Sequence, residues 1–201
     1  MGKASRTTFD YSYGARIAAF IAATLIWALA LGALAAGIWL LVLGQSVAAG
    51  LVCLFGLFLT PSCLGLQHRM RTVHNWQVSL RPGHVTLVLP ANRAVHHKAR
   101  AFEGEVSYRD IDEIVRRGEV YSRLGLQRRT MTYWLALKSG DRLLLGEHRH
   151  SGDEETQRAT PVSRAAEAIS RTSGLKMSRF EEAEGKPALF GFLVMRPPAL
   201  P

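Results

Sequence analysis

The hydrophobic pattern of the chain changes its period once, near residue 67. From Ile17 to Leu66 no residue is charged, and apolar side chains fill two runs, Ile17 to Leu43 (27 residues) and Val47 to Leu66 (20 residues), parted by Gly44-Gln45-Ser46. About 20 such residues cross the hydrocarbon of a bilayer as a helix, so the pattern predicts a transmembrane hairpin over 17–43 and 47–66. Gly44 is suited to end the first helix and Ser46 to cap the second. Pro61 falls near the end of the second run, where a membrane helix tolerates it. Ala28-Leu29-Ala30 has the small-residue form of a signal-peptide cleavage site, but a signal core holds about 7–15 apolar residues and needs no second run. An anchor is therefore expected rather than a cleaved leader.

Beyond the hairpin the period falls to two. Trp76, Val78 and Leu80 alternate with polar residues, Arg81-Pro82-Gly83 turns the chain, and Val85, Leu87 and Leu89 continue the alternation, which is the signature of a β-hairpin. Pro90 to Arg100, PANRAVHHKAR, reads as a polar loop. Strands are predicted around Glu105–Tyr108, Ile111–Tyr121, Met131–Leu137 and Leu143–Gly146, with Ser139-Gly140-Asp141 as a turn. A helix follows: Thr160 is its N-cap, Pro161 its first residue and Gly174 its stop. Val162, Ala165, Ala166 and Ile169, at i, i+3, i+4 and i+7, form its apolar face. Residues 176–201 read as a tail, with EEAEGKP as a linker and the apolar run 188–195, too short to span a bilayer, packed on its own domain or on a partner.

Charge sharpens this division. The 201-residue chain carries a formal net charge of +9, and the part from Gln67 onward has +7 of it, which favours anionic neighbours. Lys3, Arg6 and Arg16 precede the first span, Arg69 and Arg71 follow the second, and the turn between them is uncharged. The positive-inside rule then places both termini in the cytoplasm. Arginine outnumbers lysine 20 to 5 and alanine is abundant, a bias that points to a bacterial chain and hence to the inner membrane. Cys53 and Cys63 both lie in the second apolar run, about 15 Å apart along a helix, too far to form a disulfide with each other.

A two-span hairpin followed by short strands and one closing helix resembles the bacterial PH-domain-like membrane proteins. SYRDIDEI, the YWLALKSGDRLLLGE hairpin and the RAAEAISRTSGL helix occur in the order that resemblance requires, over residues 73–175. It implies an α+β membrane protein: segment 1–16, the anchor 17–66, a PH-like antiparallel sheet or barrel over 67–175 closed by its C-terminal helix, and the tail 176–201. It also implies a binding or assembly module rather than a catalyst.

The residues themselves carry no catalytic signature. No nucleophile elbow, phosphate loop or HExxH motif is present, so no enzyme activity and no cofactor are expected. His148 and His150 flank Arg149, whose charge disfavours a metal there, and no metal site is expected. Glu103, Glu105, Asp110, Asp112 and Glu113 have Arg100, Arg109, Arg116 and Arg117 as natural surface partners. Nucleic acid is not expected as a partner, because Tyr108, Tyr121 and Tyr133 follow strand patterns instead of interleaving with charge. Absence of ionisable residues in either span argues against an ion or substrate pathway.

Two surfaces remain. Ala28, Gly32 and Ala36 recur every four residues and suit close helix packing, within the hairpin or against another membrane protein. Arg93, His96, His97, Lys98 and Arg100, with Arg69 and Arg71, form a basic set suited to anionic lipid headgroups. The expected function is thus a membrane-anchored protein-interaction module with a membrane or cytoplasmic protein partner. A sensor of anionic lipid is the alternative.

Overall fold

Alternating and helical periods resolve as two kinds of unit. The structure is a computed structural model that describes residues 7–123, 126–149, 160–187 and 195–200. The chain divides into one compact unit of Tyr11–Asn75 and another of Met1–Asp10 with Trp76–Pro201. The second unit therefore begins before the first, at strand β1 (Thr7–Asp10), within the N-terminal segment that the sequence left without structure.

The hairpin unit consists of helices α1 (Tyr13–Val42) and α2 (Ser46–Asn75), both long and apolar enough to cross a membrane. Ser12 caps α1 by accepting a hydrogen bond from the Ala15 N–H at 3.2 Å. Gly44, at φ 78°, supplies the left-handed turn. Ser46 is already helical, and the carbonyl of Gln45 accepts the first α2 bond from the Ala49 N–H at 2.9 Å, so Gln45 holds the capping position. Helix α2 runs through Pro61 and nine residues past the predicted end of its span, carrying Arg69 and Arg71 as exposed helical residues.

The helices meet along a seven-residue repeat. Ala23, Ala30 and Gly37 are the buried residues of α1, facing Ala49, Gly56 and Cys63 of α2. A Cβ at Gly56 would stand 3.0 Å from the carbonyl oxygen of Ala30 and against Leu34, and one at Gly37 would run into Cys53 Sγ. Small residues here let two backbones approach. The stripe Ala28, Gly32 and Ala36 is instead exposed, with open space around Gly32. Positions two apart on a helix lie about 200° apart, so Ala28 and Gly32 turn away from a seam built on Ala30. The within-hairpin role expected for this stripe belongs to the other set.

In the second unit, β1, β2 (Gln77–Arg81), β3 (His84–Leu89) and β4 (Phe102–Ser107) form an antiparallel meander. Its register sets Phe9 opposite Val78, Val78 opposite Leu87 and Leu80 opposite Val85, and cross-strand partners share a face, which gathers these buried side chains on one side. After the 3₁₀ turn Tyr108–Asp110 come β5 (Ile111–Arg123), β6 (Leu126–Leu137) and β7 (Arg142–Arg149), a second antiparallel meander. Helix α3 (Pro161–Ser173) follows the expected boundaries: Thr160 accepts from the Ser163 N–H, Gly174 is left-handed at φ 74°, and Val162, Ala165, Ala166 and Ile169 are buried. Trp76 joins the sheets by donating its indole N–H to the Leu145 carbonyl at 2.7 Å. Gly146 lets Val162 of α3 lie against β7, since a Cβ there would be 3.0 Å from it.

Two corrections concern this unit. The described strands make two separate four-stranded sheets and a two-stranded ribbon, not a closed barrel. EEAEGKP, read as a linker, supplies β8 (Glu181–Glu184), which pairs in parallel with β5, and β9 (Lys186–Pro187), which pairs with β10 (Met195–Arg196). Most of the apolar run 188–195 lies outside the described residues. The hairpin sits in the chain between two paired strands: only Tyr11 and Ser12 link β1 to α1, and only Trp76 links α2 to β2.

The seam makes a clear prediction for the full-length protein in mild detergent. Gly56→Val overpacks the helix contact and should destabilise the hairpin by about 1–3 kcal/mol, whereas Gly32→Val should leave its thermal midpoint unchanged. Equal shifts in the two variants would contradict the seam described here.

Candidate functional site

Polar chemistry in the second unit converges on one face of β5 and β6. Strand alternation sends Val115, Arg117, Glu119 and Tyr121 to the same side. Cross-strand register adds Trp134 opposite Val115, Thr132 opposite Arg117, Thr130 opposite Glu119 and Arg128 opposite Tyr121. The loop after β3 covers this face. Its shape is fixed by Arg93, which donates through Nε to the Leu144 carbonyl and through NH1 to the carbonyls of Pro90 at 2.9 Å and Arg100 at 2.7 Å. Asn92, left-handed at φ 50°, closes the loop with its N–H on the Ala99 carbonyl at 2.7 Å. Beneath it Ala94, Val115, Trp134 and Leu144 form a small apolar cluster with Ala99 against it.

Glu119 is the centre, with 0% exposure. His97 Nε2 lies 2.9 and 2.7 Å from its two carboxylate oxygens. Arg117 donates Nε and NH2 at 3.1 and 2.7 Å, Tyr121 its hydroxyl at 2.6 Å and Thr132 its hydroxyl at 3.2 Å. An ionised carboxylate only accepts, so His97 carries its proton on Nε2. Burial by itself would raise the Glu119 pKa, but the hydrogen bonds from His97, Tyr121 and Arg117 outweigh it and hold the group at about 2. The same burial, with the Glu119 charge beside it, pushes the Tyr121 phenol upward.

Three neighbours complete the cluster. His96 stacks on Tyr121 with ring centroids 3.7 Å apart, and burial, aided by the charge of Arg128, lowers it to about 4, which keeps it neutral. His97 meets Trp134 edge-on at 5.0 Å. Glu147, opposite Thr132 on β7, is pushed up by burial and accepts a hydrogen bond from the Val95 backbone.

The basic set read from the sequence is thus split. Arg93 and His97 are buried and bonded internally, His96 is half-buried, and Arg69, Arg71, Lys98 and Arg100 are exposed. Burial lowers Arg93 to about 10, so it keeps its charge at neutral pH and spends it on three carbonyls. Arg117, expected as a surface partner of the nearby acids, belongs to Glu119 instead. Glu119, Thr132 and Trp134 were not singled out in the sequence, and Tyr121 was read only as part of a strand pattern. Their signal was the alternation Arg117, Glu119, Tyr121 within one strand, three polar side chains on a single face.

This arrangement positions a histidine against a carboxylate, yet Glu119 is saturated by protein donors and the His97 side chain is sealed beneath the loop. Among the described residues no group of three His, Cys, Asp or Glu side chains is placed to hold a metal. His148 stacks on Tyr133 and lies 3.4 Å from the Thr160 hydroxyl, whereas His150 lies outside the described residues. Comparison with known proteins returns no matching family, no matching curated relative and no matching solved structure.

The pKa directions set a pH profile. Between the ordinary value of 6.5 and the folded value of about 4, the unfolded chain protonates His96 while the folded chain does not. Between 4.5 and about 2 the same holds for Glu119. Both groups therefore withdraw stability as pH falls, while Glu147, pushed up by burial, works in the opposite direction; the His96 and Glu119 contributions are read as the difference in pH dependence of denaturant unfolding between the full-length wild type and variants at each position. Relative to wild type, His96→Phe should lose less stability as pH falls from 6.5 to about 4. Glu119→Ala, which strands Arg117 and His97, should cost about 3–5 kcal/mol at neutral pH.

Proposed function

We propose that the chain is a non-enzymatic, membrane-anchored protein-interaction module, an accessory or assembly factor of a membrane complex. In this reading α1 and α2 anchor it in a bacterial inner membrane with both termini cytoplasmic, and the second unit is a PH-like domain. Two antiparallel meanders, the first of them begun by β1 ahead of the hairpin, and a following helix support that reading of the fold. The observation that carries the functional reading is the sealed state of the domain's polar chemistry. Glu119, His97, Arg117 and Arg93 are consumed by one another and by backbone carbonyls, which leaves loops, strand edges and helix faces as the surfaces open to a partner. The span region Ile17–Leu66 holds no charge with which to conduct an ion.

A lipid-sensing role is favoured by a different observation, the exposure of Arg69, Arg71, Lys98 and Arg100, each worth about 1 kcal/mol near an anionic surface. The two readings separate experimentally. Under the protein-binding reading, affinity purification of the full-length protein from its native membrane in mild detergent yields a stoichiometric partner, and Lys98→Glu with Arg100→Glu retains it. Under the lipid reading no partner appears, and the same double variant loses binding to vesicles containing anionic lipid. Arg93 is excluded from the charge reversal because its side chain holds the loop together.

A further inference from the structure

The outer edge of β5 is taken by the chain's own tail. Met177 bridges to Ile114 and the Ser178 N–H donates to the Ile114 carbonyl at 2.9 Å. The Ser178 hydroxyl accepts from the Arg116 N–H at 3.0 Å. Glu181 to Glu184 then run parallel to Arg117–Val120, and the Gly185 N–H ends the segment on the Val120 carbonyl at 2.9 Å. Phe180 lies over Gly118, where a Cβ would be 2.7 Å from its ring, and the Arg116 guanidinium stands 5.8 Å from the ring centroid. Glycine inside a strand marks a close approach, and here the approaching group is an aromatic ring.

We propose that this edge is a docking groove for an extended segment of a partner protein in which an aromatic residue is followed directly by acidic residues, and that residues 177–185 fill it as an internal competitor. This rests on the protein-interaction reading above and names the surface and the chemistry of the partner. Charge complementarity selects the occupant: the chain's own segment reads Phe-Glu-Glu-Ala-Glu, Arg116 flanks the ring, and Arg129 stands 4.0 Å from Glu182. The resident strand is suited to removal. It has four residues, its three glutamates are exposed, Phe180 keeps 48% of its surface in solvent, and its pairing is parallel, the less stable ladder per residue. An uncovered edge of the 13-residue β5 would invite strand addition from any chain; a weak self-strand blocks that until a better-matched segment arrives. Main-chain bonds provide the general affinity of such strand addition, and side-chain seats provide the selection.

The test uses full-length protein in mild detergent and a fluorescein-labelled synthetic peptide of sequence MSRFEEAEG, read by anisotropy. A tethered competitor acts at an effective concentration near millimolar, so weakening it exposes the groove. Phe180→Ala, and separately Glu181→Lys with Glu182→Lys, should tighten peptide binding at least about tenfold, and Gly118→Val should abolish it in either background. The proposal is overturned if neither tail variant tightens binding, if binding survives Gly118→Val, or if a scrambled peptide of the same composition binds equally. Native-membrane purification of wild type and Phe180→Ala separates the two levels. A partner whose yield is unchanged by Phe180→Ala overturns the groove and leaves the module reading standing. Absence of a partner together with absence of peptide binding overturns both.

Discussion

A carboxylate shut away from water must be surrounded by donors, and Glu119 collects them from separate parts of the chain. Arg117 and Tyr121 come from its own strand, Thr132 from the next strand and His97, 22 residues earlier, from the loop that follows β3. Arg117 then reaches onward, donating NH1 to the Ala199 carbonyl at 2.6 Å. One buried charge thereby ties the covering loop to the β5–β6 ladder. Buried ion pairs add little net stability compared with apolar packing, but breaking one is costly. The network's contribution is therefore selective: it disfavours every loop conformation that leaves Glu119 short of donors.

The division into hairpin and sheet unit was legible because hydrophobic period and charge both change near residue 67. Helix α3 was legible to the residue, since Thr160, Pro161 and Gly174 each act through local backbone chemistry that needs no tertiary information. The end of α2 was not, because its last turns carry Arg69, Arg71 and His74 on exposed positions and helical hydrogen bonding continues past the point where the apolar run stops. β1 was hidden for a related reason. Its four residues, TTFD, have only Phe9 buried, and their strand character comes from β2, more than sixty residues away.

The site was harder to read than the fold. Charged residues in sequence look alike whether they face water or one another, and Arg93 and His97 were grouped with Lys98 and Arg100 because they share a loop. What separates them is the sheet beneath: Arg93 finds carbonyls at Pro90, Arg100 and Leu144, and His97 finds Glu119, while Lys98 and Arg100 point outward. The helix seam shows the same limit. A four-residue stripe and a seven-residue stripe of small residues coexist on α1, and only the shape of α2, with Gly56 opposite Ala30, decides between them.

The hairpin interrupts a ladder. Thr7 pairs with Leu80 and Asp10 with Gln77, so the first strand is synthesised before both helices and waits for a partner made after them. If the intervening 65 residues crossed a bilayer once, or three times, the two halves of that ladder would lie on opposite sides and the sheet would lack its first strand. Only an even number of crossings lets β1 meet β2. With α1 and α2 as membrane spans, as proposed above, completion of the sheet would act as a topological proofreader, since the domain could finish folding only once the chain had been threaded and returned.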